Sequence, residues 1–279
     1  MRTALLGIAL NLIGCASPVS PASRVIHIPL HRYAGKLRYV EASFPPGAHL
    51  LFDTGGGLTL LSPNTAKSVH CAPYTRLTAF RMSGERFDVD GCGPVRLSFG
   101  SLVVEPDAAV FDLMSLLSGL PNLDGLASLQ TFAGHAVTVD LANNQLTIAD
   151  SVDRRDVRGF SPITIRLSRP FAGAGLDVFV RLSGAAGPLW FEVDTANLDT
   201  VRISNRVLDQ LGLSPHQLQS LRQGLPTSVT LPIDGLGRVV VTAGAADIIY
   251  DGVLNADFLE RVKLVLDLAS SSGWAKIDH

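Results

Sequence analysis

From residue 25 onward the chain alternates short apolar runs with polar or glycine-containing turns, which is the pattern of strands and not of long helices. In the first half the runs Arg38 to Phe44, Val95 to Phe99, Leu102 to Val104, Val137 to Val139 and Leu146 to Ile148 predict strands. In the second half the same reading picks out Ile163 to Leu167, Val178 to Leu182, Val239 to Thr242 and Leu264 to Leu266. Helices are few. Ser62 followed by Pro63 makes an N-cap and first-turn pair, and Ser204 precedes Asn205 to Leu211, whose apolar positions fall at helical spacing.

The two halves say the same thing. Leu51-Phe52-Asp53-Thr54-Gly55-Gly56-Gly57 is echoed by Glu192-Val193-Asp194-Thr195-Ala196-Asn197, each between two strand-like runs. Leu123-Asp124-Gly125-Leu126-Ala127-Ser128 returns as Tyr250-Asp251-Gly252-Val253-Leu254-Asn255, and Val137 to Ala142 as Leu264 to Ala269. The later motifs repeat at one offset (251 − 124 = 267 − 140 = 127), the Asp-Thr pair at another (194 − 53 = 141). The first half therefore carries 14 extra residues (141 − 127), expected between Thr75 and Leu120. One order of motifs in both halves implies duplication. The expected fold is mainly β: two related β-barrel-like lobes with a few short helices, about a pseudo-twofold axis. The lobes are expected at 25–152 and 160–279, joined by the charged, apolar-poor stretch 150–159.

Composition narrows the functional classes. Charged residues are 17% and hydrophobic residues 47% of 279, which excludes disorder, and a net charge of −2 gives no basic field for nucleic acid. No Walker loop, complete G-x-G-x-x-G or G-x-S-x-G elbow is present. His27 and His31 are four apart on a strand-like run, where that spacing builds no metal face, so neither a metal nor any other cofactor is expected.

The first residues read as targeting. Arg2 and the apolar run to Gly14 form a signal segment (1–14) too short to span a membrane. Leu12-Ile13-Gly14-Cys15 resembles the lipobox of bacterial lipoproteins, with Cys15 lipidated and 15–24 as a Pro-punctuated tether. This implies a lipid-anchored protein of the periplasm or cell envelope; plain secretion with cleavage near Ala16 is the other reading. Of the remaining cysteines, Cys71 and Cys92 could pair in an oxidising compartment or stay as two buried thiols that never meet.

The twin Asp-Thr motifs, each followed by Asp-Gly and two apolar residues, resemble the aspartic proteases, the retropepsin-like branch of bacteria in particular, with both lobes in one chain as in pepsin. The resemblance implies an aspartic endopeptidase acting on peptides or unfolded proteins in the inter-lobe cleft. Asp53 and Asp194 would share one proton, one activating water and the other polarising the carbonyl. Thr54 and Thr195 would hydrogen-bond across the lobes, with Gly55 and Ala196 supporting the turns. Asp199-Thr200 is a poorer candidate for the second site, since no small residue follows and Ser204 lies only five positions on (204 − 199).

The sequence also departs from that family. Ala196 stands for the second-lobe Gly; Gly56 and Asn197 provide no hydroxyl; Ser128 and Asn255 replace the Gly that closes the Asp-Gly motif; and the expected flap, Arg81 to Phe87, has no Tyr. These departures define the alternative, a weakened or inactive protease-like lipoprotein that binds peptides or a partner protein.

Overall fold

The computed structural model describes residues 24–117 and 119–277. The signal segment 1–14, Cys15 and the tether up to residue 23 lie outside the described residues. The fold is mainly β and two-lobed.

Each half builds a sheet of the same plan. In the first, the order is His31–Tyr33, Leu37–Ala42, Ala48–Phe52, Gly125–Ala127, Thr59–Leu61, Asp107–Val110, Arg86–Pro94 and Thr75–Phe80. In the second, it is Ile165–Ser168, Asp177–Gly184, Gly187–Val193, Gly252–Leu254, Val201–Ser204, Gly237–Ala246 and Thr227–Ile233. The strand entering each Asp-Thr turn thus lies beside an antiparallel hairpin partner and a short parallel strand from the Asp-Gly motif.

That crossing explains why Asp-Gly recurs. A Cβ on Gly125 would stand 2.2 Å from the Leu60 carbonyl oxygen, and one on Gly252 2.4 Å from the Phe191 ring, so only glycine lets the strands cross. The aspartates before them tie neighbouring strands: the Asp124 carboxylate accepts from the His49 N–H at 2.9 Å and Asp251 from the Trp190 N–H at 2.9 Å. Ser128 and Asn255 cap the short helices that follow, accepting from the Gln130 and Phe258 N–H groups. At these two positions the departures from the family pattern are helix caps.

The halves are sewn together by a six-stranded sheet, ordered Val25–Pro29, Gln145–Ala149, Ala136–Asp140, Val262–Asp267, Ser272–Ile277 and Ser161–Ile163. At its centre Val137 faces Leu266 and Val139 faces Leu264, all four buried, so the duplicated strand pairs with its own copy. Arg38 adds an ionic fastening: 1% exposed, it donates to the Glu260 carboxylate of the other lobe, to Asn144 and to the Lys36 carbonyl.

Two elements differ from the sequence reading. Asn205 to Leu211 forms turns and a short 3-10 helix, Leu208–Gln210, because Gly212 at φ +64 ends the run before an α-helix can establish; the helix comes next, at Pro215–Arg222 behind the Ser214 capping box. Ile163 to Leu167 is split at Thr164, so that Ser161–Ile163 joins the shared sheet and Ile165–Ser168 the second lobe.

Candidate functional site

The two Asp-Thr turns meet at the seam. The Thr54 N–H donates to Thr195 Oγ1 and the Thr195 N–H to Thr54 Oγ1, both at 3.0 Å. Each hydroxyl in turn donates to a carbonyl of the other lobe, Thr54 to Val193 at 2.7 Å and Thr195 to Phe52 at 3.1 Å. Both threonines are buried, so four cross-lobe bonds in a dry environment set the turns face to face.

The Asp53 and Asp194 carboxyls lie within hydrogen-bonding reach of one another. Their surroundings are unequal. Asp53 accepts one backbone N–H, from Gly55 at 2.9 Å; Asp194 accepts two, from Ala196 at 2.8 Å and Asn197 at 3.0 Å. Burial and then the Asp194 charge push Asp53 well above the ordinary carboxylate range. Burial also raises Asp194, against the pull of its two N–H donors. With two N–H donors against one, Asp194 is the better-stabilised anion of the pair, and Asp53 is the one held further toward its protonated form.

Gly55 is sterically required, since a Cβ there would stand 2.8 Å from Asp194 Cγ. Its twin Ala196 is accommodated with φ outside the left-handed region. A Cβ on Gly56 would stand 2.6 Å from the tip of Leu126 and 3.2 Å from an Asp53 carboxyl oxygen, so a side chain there would displace Leu126, and Asn197 turns away to bond the Thr200 carbonyl and the Asp199 N–H. Asp199 itself lies in an exposed turn and ion-pairs with Arg202.

Sequence reasoning missed two further acids. Asp177 and Glu192 lie on the cleft-side face of the second lobe's sheet, Glu192 two residues before Asp194 and paired across the strands with Phe179. Both are buried, at 7% and 2% exposure. Burial pushes the Asp177 carboxyl up to about 7; burial and then the charges of Asp194, Asp177 and Asp53 hold Glu192 well above the ordinary range. Among the described residues Glu192 Oε1 has no hydrogen-bond partner. The signal was present in the repeat: Glu192 aligns with Leu51, an acid where the other copy has leucine.

The cleft above the pair is spanned by the chain itself. The flap is the hairpin of Thr75–Phe80 and Arg86–Pro94, and its tip carbonyl, Met82, accepts from the Ile249 N–H of the other lobe at 2.9 Å. The segment Pro170 to Leu176 reaches the first lobe: the Leu176 N–H donates to the Gly57 carbonyl at 2.8 Å, and Phe171–Gly173 lies against the outer flap strand. Phe171 and Ala172 hold φ of +58 and +55 there, a strained backbone of the kind that surrounding contacts must enforce. Cys71 and Cys92 are bonded, Cα to Cα 5.3 Å, and tether the flap's base to the turn after the Pro63–Ser68 helix. Tyr74, 76% exposed, sits at that base and not over the acids. Among the described residues no group of three metal-ligating side chains converges.

No family model and no curated protein matches the chain. Solved structures do. Basic 7S globulin from soybean superposes with a TM-score of 0.55 at 11% identity, over 91% of this chain and 95% of the globulin. Conglutin gamma, a basic 7S globulin from lupine seeds, gives 0.57 at 13% identity, over 92% and 95%. The fold is pepsin-like and two-lobed. At such identities the likeness speaks for the fold alone.

These findings correct three expectations. Nothing places the chain in the bacterial retropepsin-like branch, nothing supports aspartic endopeptidase activity, and the description as a protease or periplasmic lipoprotein gains no support; the two structures compared above are globulins. The physical reason lies in the motifs that carried the resemblance. The Thr54–Thr195 bonds, the Gly55 contact and the Asp-Gly crossings are what this fold needs to join two lobes, whether or not anything is hydrolysed.

Proposed function

We propose that the chain is a non-hydrolytic binding protein, holding an extended peptide or a strand of a partner protein between its lobes. The observation that carries this reading is that the flap tip already makes a backbone bond to the other lobe, Met82 accepting from the Ile249 N–H. A ligand backbone that replaces the Met82–Ile249 bond gains a strand-like partner in the flap, which is how extended segments add to a sheet edge. Thr75–Phe80 is the outermost strand of its sheet, and Phe80 is 55% exposed beside the tip. The absence of a hydroxyl at Gly56 and the turned-away Asn197 side chain leave the outer carboxyl oxygens without the partner a hydrolytic pair commonly has.

The test uses the purified chain and fluorescein-labelled carboxymethylated casein, an unfolded protein. Anisotropy should rise on mixing at pH 5 and pH 7, while mass spectrometry finds the casein intact after a day. Fragments that vanish with Asp53→Asn and with Asp194→Asn would overturn the reading, and so would the lack of any anisotropy change.

A further inference from the structure

The two lobes present different walls to the same cleft. In the first lobe Leu37 and Leu51 belong to an apolar cluster with Leu58, Leu60 and Leu126. Tyr39 faces Leu51 across the first hairpin as Phe179 faces Glu192 across the second, so the pseudo-twofold twins of Leu37 and Leu51 are Asp177 and Glu192. A duplicated scaffold that folds with leucine at both places has no structural need for two buried acids. Burying them is costly, and neither is repaid by an ion pair among the described residues.

Glu192 carries the argument further. At 2% exposure its Oε1 has no partner among the described residues, and its side chain lies on the face that holds Asp177, close enough to feel the charge of Asp177, of Asp194 and of Asp53 from the other lobe. A buried acceptor left open in this way is a place prepared for a donor. The walls around it are aromatic. Phe179 and Tyr250 meet edge to face at 5.3 Å, and the exposed Arg166 guanidinium stands 4.9 Å from the Phe179 centroid and 4.8 Å from that of Trp190. This face already stacks one cation on its rings without neutralising Glu192.

We propose, building on the binding role above, that the second-lobe wall of the cleft is a recognition site for a basic side chain of the bound segment, its ammonium or guanidinium received by Asp177 and Glu192 on the Tyr250 side, apart from the rings that Arg166 covers. The acids do not form a metal cage, since no three of them converge on one point. Entry needs the Ile249–Met82 bond parted, the same opening that seating a ligand strand requires.

Charge linkage sets how the site responds to pH. The groups that face it are Asp177 and Glu192 from adjacent strands, Asp53 and Asp194 from the two turns, Tyr250 from the segment before Gly252–Leu254, and Arg166 from Ile165–Ser168. In the empty cleft Asp177 keeps its proton up to about pH 7 because it is buried without a counter-charge. A bound cation provides that charge and displaces the proton, so basic ligands bind more tightly as pH rises through about 7.

The experiment is a positional scan of labelled nine-residue extended peptides in which each position carries lysine or its neutral counterpart norleucine, titrated with the full chain at pH 5 and pH 8. At one position lysine should bind roughly tenfold more tightly than norleucine or better at pH 8. The preference should shrink at pH 5 and disappear in Asp177→Leu/Glu192→Leu, the residues their twins carry, and in Asp177→Asn/Glu192→Gln. Each variant is checked for folding by its thermal melt. Peptides that bind with no lysine preference, or a preference that survives both double variants, overturn this site and leave the binding role standing. If none of the peptides binds, both fall.

Discussion

Replacing Asp177 by Asn should make the protein more stable, and only above about pH 4. Asp177 is 7% exposed, so solvent does little to screen the cost of its charge. In the unfolded chain the carboxyl loses its proton near the ordinary 3.8, whereas in the folded protein it keeps it to about 7. Between these values folding takes up a proton, and stability falls as pH rises; below 3.8 both states are protonated, and above about 7 the loss is complete. Roughly three tenfold steps in proton affinity, at about 1.4 kcal/mol each, put the full loss at about 4 kcal/mol. That is a large share of the ~5–15 kcal/mol by which a domain is stable. Urea unfolding followed by circular dichroism from pH 3.5 to 8.5 measures it in wild type and Asp177→Asn. The two should coincide at the acid end and separate steadily, the variant ahead by up to about 4 kcal/mol at pH 8. Glu192, raised in the same direction, leaves a residual slope in the variant. A gap that is constant with pH, that closes as pH rises, or that stays under about 1 kcal/mol at pH 8 refutes burial without a counter-charge as the cause.

Thr54→Val keeps the shape but removes the oxygen that accepts from the Thr195 N–H and donates to the Val193 carbonyl. Two buried backbone groups are left unpaired, so the urea midpoint should fall by the equivalent of about 2–4 kcal/mol, with Thr54→Ser restoring most of it. Arg38→Met strips Glu260, Asn144 and the Lys36 carbonyl of their donor and should cost about 3 kcal/mol. Lys36→Met breaks the exposed pair with Asp257 and should leave the midpoint where it is, since water replaces that contact. Equal losses in the two variants would contradict the distinction between the buried and exposed bridges.

Much of the fold was legible because its signals are local and occur twice. Alternating apolar runs predict strands one at a time, and the repeated Asp-Thr and Asp-Gly turns align the halves without any knowledge of contacts. Where a local signal was weak it misled. The helical spacing of Val207, Leu208 and Leu211 reports burial alone, and turns bury those residues as well as a helix would. The continuous run Ile163 to Leu167 gives no hint that its two ends serve different sheets, because that depends on which edges stand on either side of Thr164.

The amino-acid order alone thus determines a duplicated, mainly β chain with two acidic turns set in equivalent places, for turn chemistry and side-chain alternation act over a few residues. The meaning of those turns was decided by tertiary structure. Only there is Glu192 buried with an unpartnered oxygen among the described residues, Asp177 brought beside it on the same face of the next strand, and Met82 joined to Ile249 in the opposite lobe, 167 positions along the chain (249 − 82). Burial and electrostatic coupling belong to assembled surfaces, and a carboxyl that reads as an ordinary strand residue in sequence becomes a charge problem only when another lobe closes over it.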